Sequence, residues 1–157
     1  MRKRIITPVP QEVAFPDVNW LNVGEIAEVE ITSEDAAHPI ESALITGLSG
    51  WRASTPGKQI IRLIFFCPQK IQRIGIVFEE TNIERTQEFV LRWSNDSGQS
   101  FHEIVRQQWN FSPRGATSET EDLRVDLSAV VMLELSIIPD ISGGSALASL
   151  AQLRLAA

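Results

Sequence analysis

FVLRWSNDSGQSFHEI, residues 89–104, places two strand-like runs on either side of a polar centre. Phe89, Leu91 and Trp93 alternate with Glu88, Val90 and Arg92. Successive side chains on a strand point to opposite faces, so this period of two reads as a strand with one face in a core. The centre, SNDSGQS, is rich in Asn, Asp and Ser, whose side chains bond to nearby backbone amides. Gly98 has no Cβ and reaches φ > 0 at little cost. The stretch therefore predicts a β-hairpin with Gly98 at positive φ. Trp93 and Phe101 flank the turn and anchor the strand ends in the core.

The same alternation recurs on both sides. Ala27, Val29 and Ile31 alternate with Glu28 and Glu30, and Ile74, Ile76 and Phe78 share one face of IQRIGIVF. Leu123, Val125 and Leu127 form another stripe, as do Val131, Leu133, Leu135 and Ile137, and finally Ala151, Leu153 and Leu155 against Gln152 and Arg154. The run from Ile60 to Phe66 is nearly all apolar, as in a strand covered on both faces. Turn-rich links such as STPGK, SPRG and ISGG separate these runs. One weak helix signal begins at Pro39 and stops at Gly47. Seven or eight short strands with almost no helix predict an antiparallel β-sandwich or barrel.

The chain of 157 residues suits one domain able to bury its own core. Its net charge of −6 argues against a broad nucleic-acid footprint, which needs clustered Lys and Arg. The lone cysteine, Cys67, excludes an internal disulfide and, within IIRLIFFC, is expected to be buried and inert. No apolar run reaches the length of a membrane-spanning helix, and the start does not read as a secretory signal, so a cytoplasmic location is the expectation.

The eight residues SNDSGQSF also fit S-x-D-x-G-x-x-[WF], the Asp-box of sialidase-type propellers. A propeller repeats its motif in blades of about 40 to 50 residues, and this one occurs once. The better resemblance is to discoidin domains, the coagulation-factor type C family. FVLRWSNDSGQSFHEI resembles that family's strand, Ser-x-Asp-Gly-x-x-Trp turn and strand. VEITSEDAAHPIESALITGLSGW is similar to its opening strand, loop, short helix and Trp. IIRLIFFCPQKIQRIGIVFE looks like its following strand pair, with a turn at Pro68-Gln69-Lys70. LRVDLSAVVMLELSIIPD and SALASLAQLRLA are similar to its late strands. The resemblance covers residues 25–157. It implies an all-β, discoidin-like jelly roll of about eight strands, with 1–157 one domain and 1–24 a lead-in.

The resemblance further implies a module that binds ligands and does no chemistry. No H-E-x-x-H, G-x-S-x-G, phosphate loop or C-x-x-C is present, and His38 and His102 lie far apart. Carboxylate pairs such as Glu34-Asp35, Glu79-Glu80 and Glu121-Asp122 read as solvated charge. By resemblance, ligands meet three loops at one end. These supply Glu34, Asp35 and His38, then Arg52 and Lys58, then Asn82, Glu84 and Arg85. Such groups suit sugar hydroxyls, because they donate and accept in pairs. Trp51 and Trp93 are expected in the core, while Trp20 and Trp109 are less constrained. No cofactor is implied. Family members that hold a structural calcium supply an Asp before the Trp loop and a Glu in the last strand. Here the last-strand position is Gln152, and the first region, residues 44–47, has no carboxylate. Polar loop tips and negative charge disfavour a membrane surface.

Two functions follow. One is a non-enzymatic carbohydrate-binding module. The other is an intracellular protein-interaction or assembly module whose outer sheet face docks a partner or a second copy. A large exposed apolar sheet face would favour the second, and a concave polar loop end the first.

Overall fold

A computed structural model describes Lys3, residues 19–45 and residues 48–157. Most of the lead-in and Gly47 lie outside these. Two long strands organise the chain: β3 (Gln59–Glu79) and β6 (Ser118–Ile138). They pair antiparallel along their length, with three register shifts between Ile64 and Arg73. On one side of these bulges they are joined by β1 (Ala27–Ile31), β4 (Arg85–Ser94) and β5 (His102–Phe111), in the order β1-β3-β6-β4-β5. On the other side β8 (Gln152–Ala156) pairs with Arg73 to Val77 of β3. The long strands thus serve both layers of a sandwich, one of five strand passes and one of three. A short separate pair, β2 (Trp51–Arg52) with β7 (Ser149–Leu150), lies off both.

The sequence predicts a turn at Pro68-Gln69-Lys70, but the strand continues there. Pro68 lacks an N–H and so breaks the ladder, and bulges bend the strand instead of reversing it. The bend turns Phe66 and Cys67 outward, so Cys67 is exposed rather than buried. Among the described residues, helix is confined to Val23–Ile26 (α1) and Glu41–Leu44 (α2). The first lies outside the expected segment, and the second occupies only its middle.

Between the layers lies the core. Phe89 and Leu91 of β4 face Ile74, Ile76 and Phe78 of β3, all fully buried, and the rings of Phe78 and Phe89 meet at 5.0 Å. Each such side chain contributes about 1.5–3 kcal/mol by leaving water. Trp51 is core as expected, whereas Trp93 is half-buried beside the His102 ring. Carboxylates also go inside, Glu119 among them. Glu119 of β6, opposite Phe78, is 2% exposed, and burial with Glu121 beside it pushes its pKa up to about 7. The last strand is covered on both faces: Arg154, expected outward, is buried under α2.

β4 and β5 form the predicted hairpin. Ser97 (φ 61°) and Gly98 (φ 88°) supply the two consecutive positive φ values that a type I′ turn uses. Ser94 Oγ donates to Asp96 Oδ1 (2.6 Å) and accepts from the Gly98 amide (2.9 Å). Asp96 also accepts from the amide and hydroxyl of Ser100. These bonds, those of Ser100 foremost, hold the Asp96 carboxyl down at about 2. We expect Gly98→Val to cost ~1–3 kcal/mol in urea unfolding, since a branched side chain is strained at that φ. A folded pKa below the unfolded value means the Asp96 contribution is full above about pH 4 and fades as pH falls toward 2. Asp96→Asn should flatten that acid limb; an unchanged limb would place the acid sensitivity elsewhere.

Candidate functional site

At one end of the sandwich, residues 32–40, the β2–β7 pair and the start of the β3–β4 link surround a basin of about 130 Å3. Its floor is built first. Gly50 sits at φ +92°, where a Cβ would come 2.7 Å from the Leu150 carbonyl, so only glycine allows β2 this close to the β7–β8 corner. Trp51, 1% exposed, follows directly and lines the basin from below. Its Nε1 donates to the Ser33 carbonyl at 3.1 Å and ties the core to the first loop. That loop is laced to β2 by the backbone: the Asp35 amide donates to the Arg52 carbonyl (2.8 Å) and the Arg52 amide to the His38 carbonyl (3.1 Å).

This lacing brings His38 and Arg52 together on the rim. His38 Nδ1 lies 2.9 Å from Asp35 Oδ2. The bond to His38 lowers the Asp35 pKa, helped by the charge of Arg52. With Nδ1 engaged, the His38 Nε2 is the ring atom left for a ligand, and it accepts when the ring is neutral. Glu79, Thr81 and Ser149 complete the rim, and the Ser149 hydroxyl donates to the Glu79 carbonyl at 3.3 Å. The result is a shallow cup of paired donors and acceptors. With Trp51 buried, no exposed aromatic among the described residues lines it.

Of the eight residues expected at the loop end, the structure gathers two, His38 and Arg52, in this basin. Asp35 supports them by holding His38. Glu34 is engaged elsewhere, accepting the Ile40 amide at 3.0 Å. Lys58 lies along a groove on the five-stranded layer. Asn82 is exposed off the rim, and Glu84 lines a separate recess with Asn110 and Asp140.

Arg85, expected at the loop end, lies inside instead. Its side chain is fully buried, donating to Glu80 Oε1 (2.9 Å), the Pro139 carbonyl (2.7 Å) and Gln87 Oε1 (3.2 Å), above the Phe111 ring. A cation that neutralises a buried carboxylate is not free to meet a sugar. Glu80, expected to be solvated, is for the same reason buried. Glu79 and Thr81 belong to the third loop the resemblance brings to this end but were not singled out in it, and Ser149 gave no local signal. Ser149 reaches the basin only through the β2–β7 pairing.

A structural calcium does not fit the residues present. The last strand offers Gln152 in place of a carboxylate, and two positions on, the buried Arg154 guanidinium donates to the Ala43 carbonyl at 2.8 Å. A side-chain cation is thus already bound to a backbone oxygen of α2. Among the described residues, no three His, Cys, Asp or Glu side chains are grouped to bind a metal.

No protein-family model and no curated protein sequence matches this chain. Solved structures do. A family 32 carbohydrate-binding module from Clostridium perfringens NanJ, in complex with galactose, superposes with a TM-score of 0.62 at 17% identity, over 87% of this chain and 96% of that one. The fold is the discoidin-like, galactose-binding jelly roll. A second C. perfringens family 32 module, in complex with GalNAc-β-1,3-galactose, gives 0.59 at 18% identity, over 88% and 100%. The family 32 module of AlyQ, in complex with 4,5-unsaturated mannuronic acid, gives 0.59 at 17%, over 83% and 94%. At these identities the likeness establishes the jelly roll and leaves its ligand to the site itself.

Proposed function

We propose that this jelly roll is a non-catalytic carbohydrate-binding module that takes a glycan end in the basin of His38 and Arg52. The observation that carries the reading is their convergence: two residues fourteen positions apart, laced by backbone bonds, meet over a buried Trp51 beside Glu79, Thr81 and Ser149. Arg52 supplies a fork of donors, His38 Nε2 an acceptor, the Thr81 hydroxyl both, and the Ser149 oxygen, whose proton goes to the Glu79 carbonyl, an acceptor. Sugar hydroxyls also do both, and such a rim matches them. The binding of galactose and GalNAc-β-1,3-galactose by modules of the same fold supports this class of ligand. The protein-interaction reading asks for an apolar outer sheet face, and the outer face of the five-stranded layer carries ion pairs instead.

Affinity is expected to be weak, because a shallow polar cup without an aromatic platform must offset side-chain ordering and lost water. His38→Ala and Arg52→Ala should each weaken binding of an array-positive glycan by about 1–3 kcal/mol in calorimetry. Thermal stability should hardly move, since both side chains are partly exposed at the rim. Unchanged affinity in both variants would remove the basin from consideration.

A further inference from the structure

A second surface has the makings of a sugar site. The outer face of the five-stranded layer holds a groove of about 290 Å3, against about 130 Å3 for the loop-end basin, and the two share no lining residue. At its base is Glu134 of β6, whose side chain is only 3% exposed although it faces outward. It is covered by two arginines: Arg62 Nε bonds one oxygen and Arg92 Nε the other, each at 2.7 Å. Among the described residues Arg92 uses only its Nε in hydrogen bonds, so its terminal nitrogens are available to a ligand. Its guanidinium lies 3.9 Å over the Phe101 ring, which fixes it as a flat donor. Arg106 is clamped between Glu88 (2.9 Å) and Glu103 (3.0 Å) on a neighbouring part of the wall. Between these charges run the apolar strips of Ile60, Val90 and Ile138.

We propose that this groove is a second glycan-binding surface, for a neutral oligosaccharide of several residues lying along the layer. The proposal rests on the carbohydrate reading above but on different residues. Three features set the ligand class. Charges held by their neighbours are preorganised donors and acceptors that need not be reordered on binding. Apolar strips between them match the alternation of a sugar ring, whose faces are apolar and whose edges carry hydroxyls. The lining holds three cations, Lys58, Arg92 and Arg106, against three carboxylates, Glu88, Glu103 and Glu134. The lining charges balance, so the groove favours neither an anion nor a cation overall, whereas a neutral polyol exchanges hydrogen bonds without disturbing that balance. A protein partner fits less well, because the centres of protein interfaces are depleted in charge.

The test uses the whole chain and a set of neutral hexasaccharides (cello-, xylo-, manno- and β-1,4-galacto-), with trigalacturonate as the anionic control and galactose as the loop-end probe. At least one hexasaccharide should bind with little dependence on salt. Phe101→Ala and Arg106→Ala should each weaken it about tenfold, the first by releasing the Arg92 guanidinium from the ring that holds it and the second by losing one charged donor. Both should leave galactose binding unchanged, and Arg52→Ala should do the reverse. The Arg106 side chain is 55% exposed, so its variant should fold even if the Phe101 variant does not. Four outcomes would overturn the proposal: no hexasaccharide binding, binding of trigalacturonate alone, silent groove variants, or groove variants that change the oligomeric state. None of these bears on the basin, whose own failure would appear as galactose binding insensitive to Arg52→Ala.

Discussion

Replacing Arg85 by Met is expected to destabilise the protein by about 3–5 kcal/mol, the cost of breaking a buried ion pair from one side. The guanidinium is fully buried and satisfies Glu80, Gln87 and the Pro139 carbonyl together. Its loss leaves the Glu80 carboxylate inside without a cation. The double variant Glu80→Gln/Arg85→Met should recover part of the loss, because no charge is then stranded. Urea unfolding of the two variants measures this. The loop-end expectation for Arg85 predicts the opposite pattern, with stability kept and sugar affinity lost. That pattern would return Arg85 to the ligand set.

Trp51→Ala should have a comparable effect, about 3–5 kcal/mol, from the cavity left by a large buried side chain. Here the loss reaches function as well. Trp51 is both core and floor, and its Nε1 bond to the Ser33 carbonyl holds the loop that carries His38. Glycan affinity should therefore fall even where the variant is still folded. Trp51→Phe separates the two roles. It keeps most of the bulk and loses the hydrogen bond, so stability should drop by only ~1–2 kcal/mol, the cost of an unpaired buried carbonyl, while the loop loosens. Equal stability of Trp51→Ala and the parent chain in urea would contradict its place in the core.

The hairpin at residues 94–101 was legible because its determinants are local. Asp96 bonds within four residues, and Gly98 needs only its missing Cβ. The strands were legible from their period of two. What failed was the continuity of β3. A proline in an apolar run looks like a turn, and nothing local says that β6 runs alongside and carries the pairing past the bulge. Cys67 was misplaced for the same reason, since the bend decides which way it points. In the site, His38 and Arg52 were legible as polar groups on loops that the resemblance brings together. Arg85 was not, because whether an arginine meets solvent or a buried carboxylate depends on Glu80 and on the Pro139 carbonyl, 54 residues away. The groove around Glu134 was invisible. Its arginines, Arg62 and Arg92, come from β3 and β4, and only the strand order sets them on either side of β6.

The central claim is that the loop-end basin takes a sugar. Amide NMR of the parent chain titrated with galactose tests it most directly. Fast-exchange shifts confined to His38, Arg52, Thr81, Ser149 and their neighbours are expected, abolished by Arg52→Ala. Shifts that saturate while those amides stay still would contradict it.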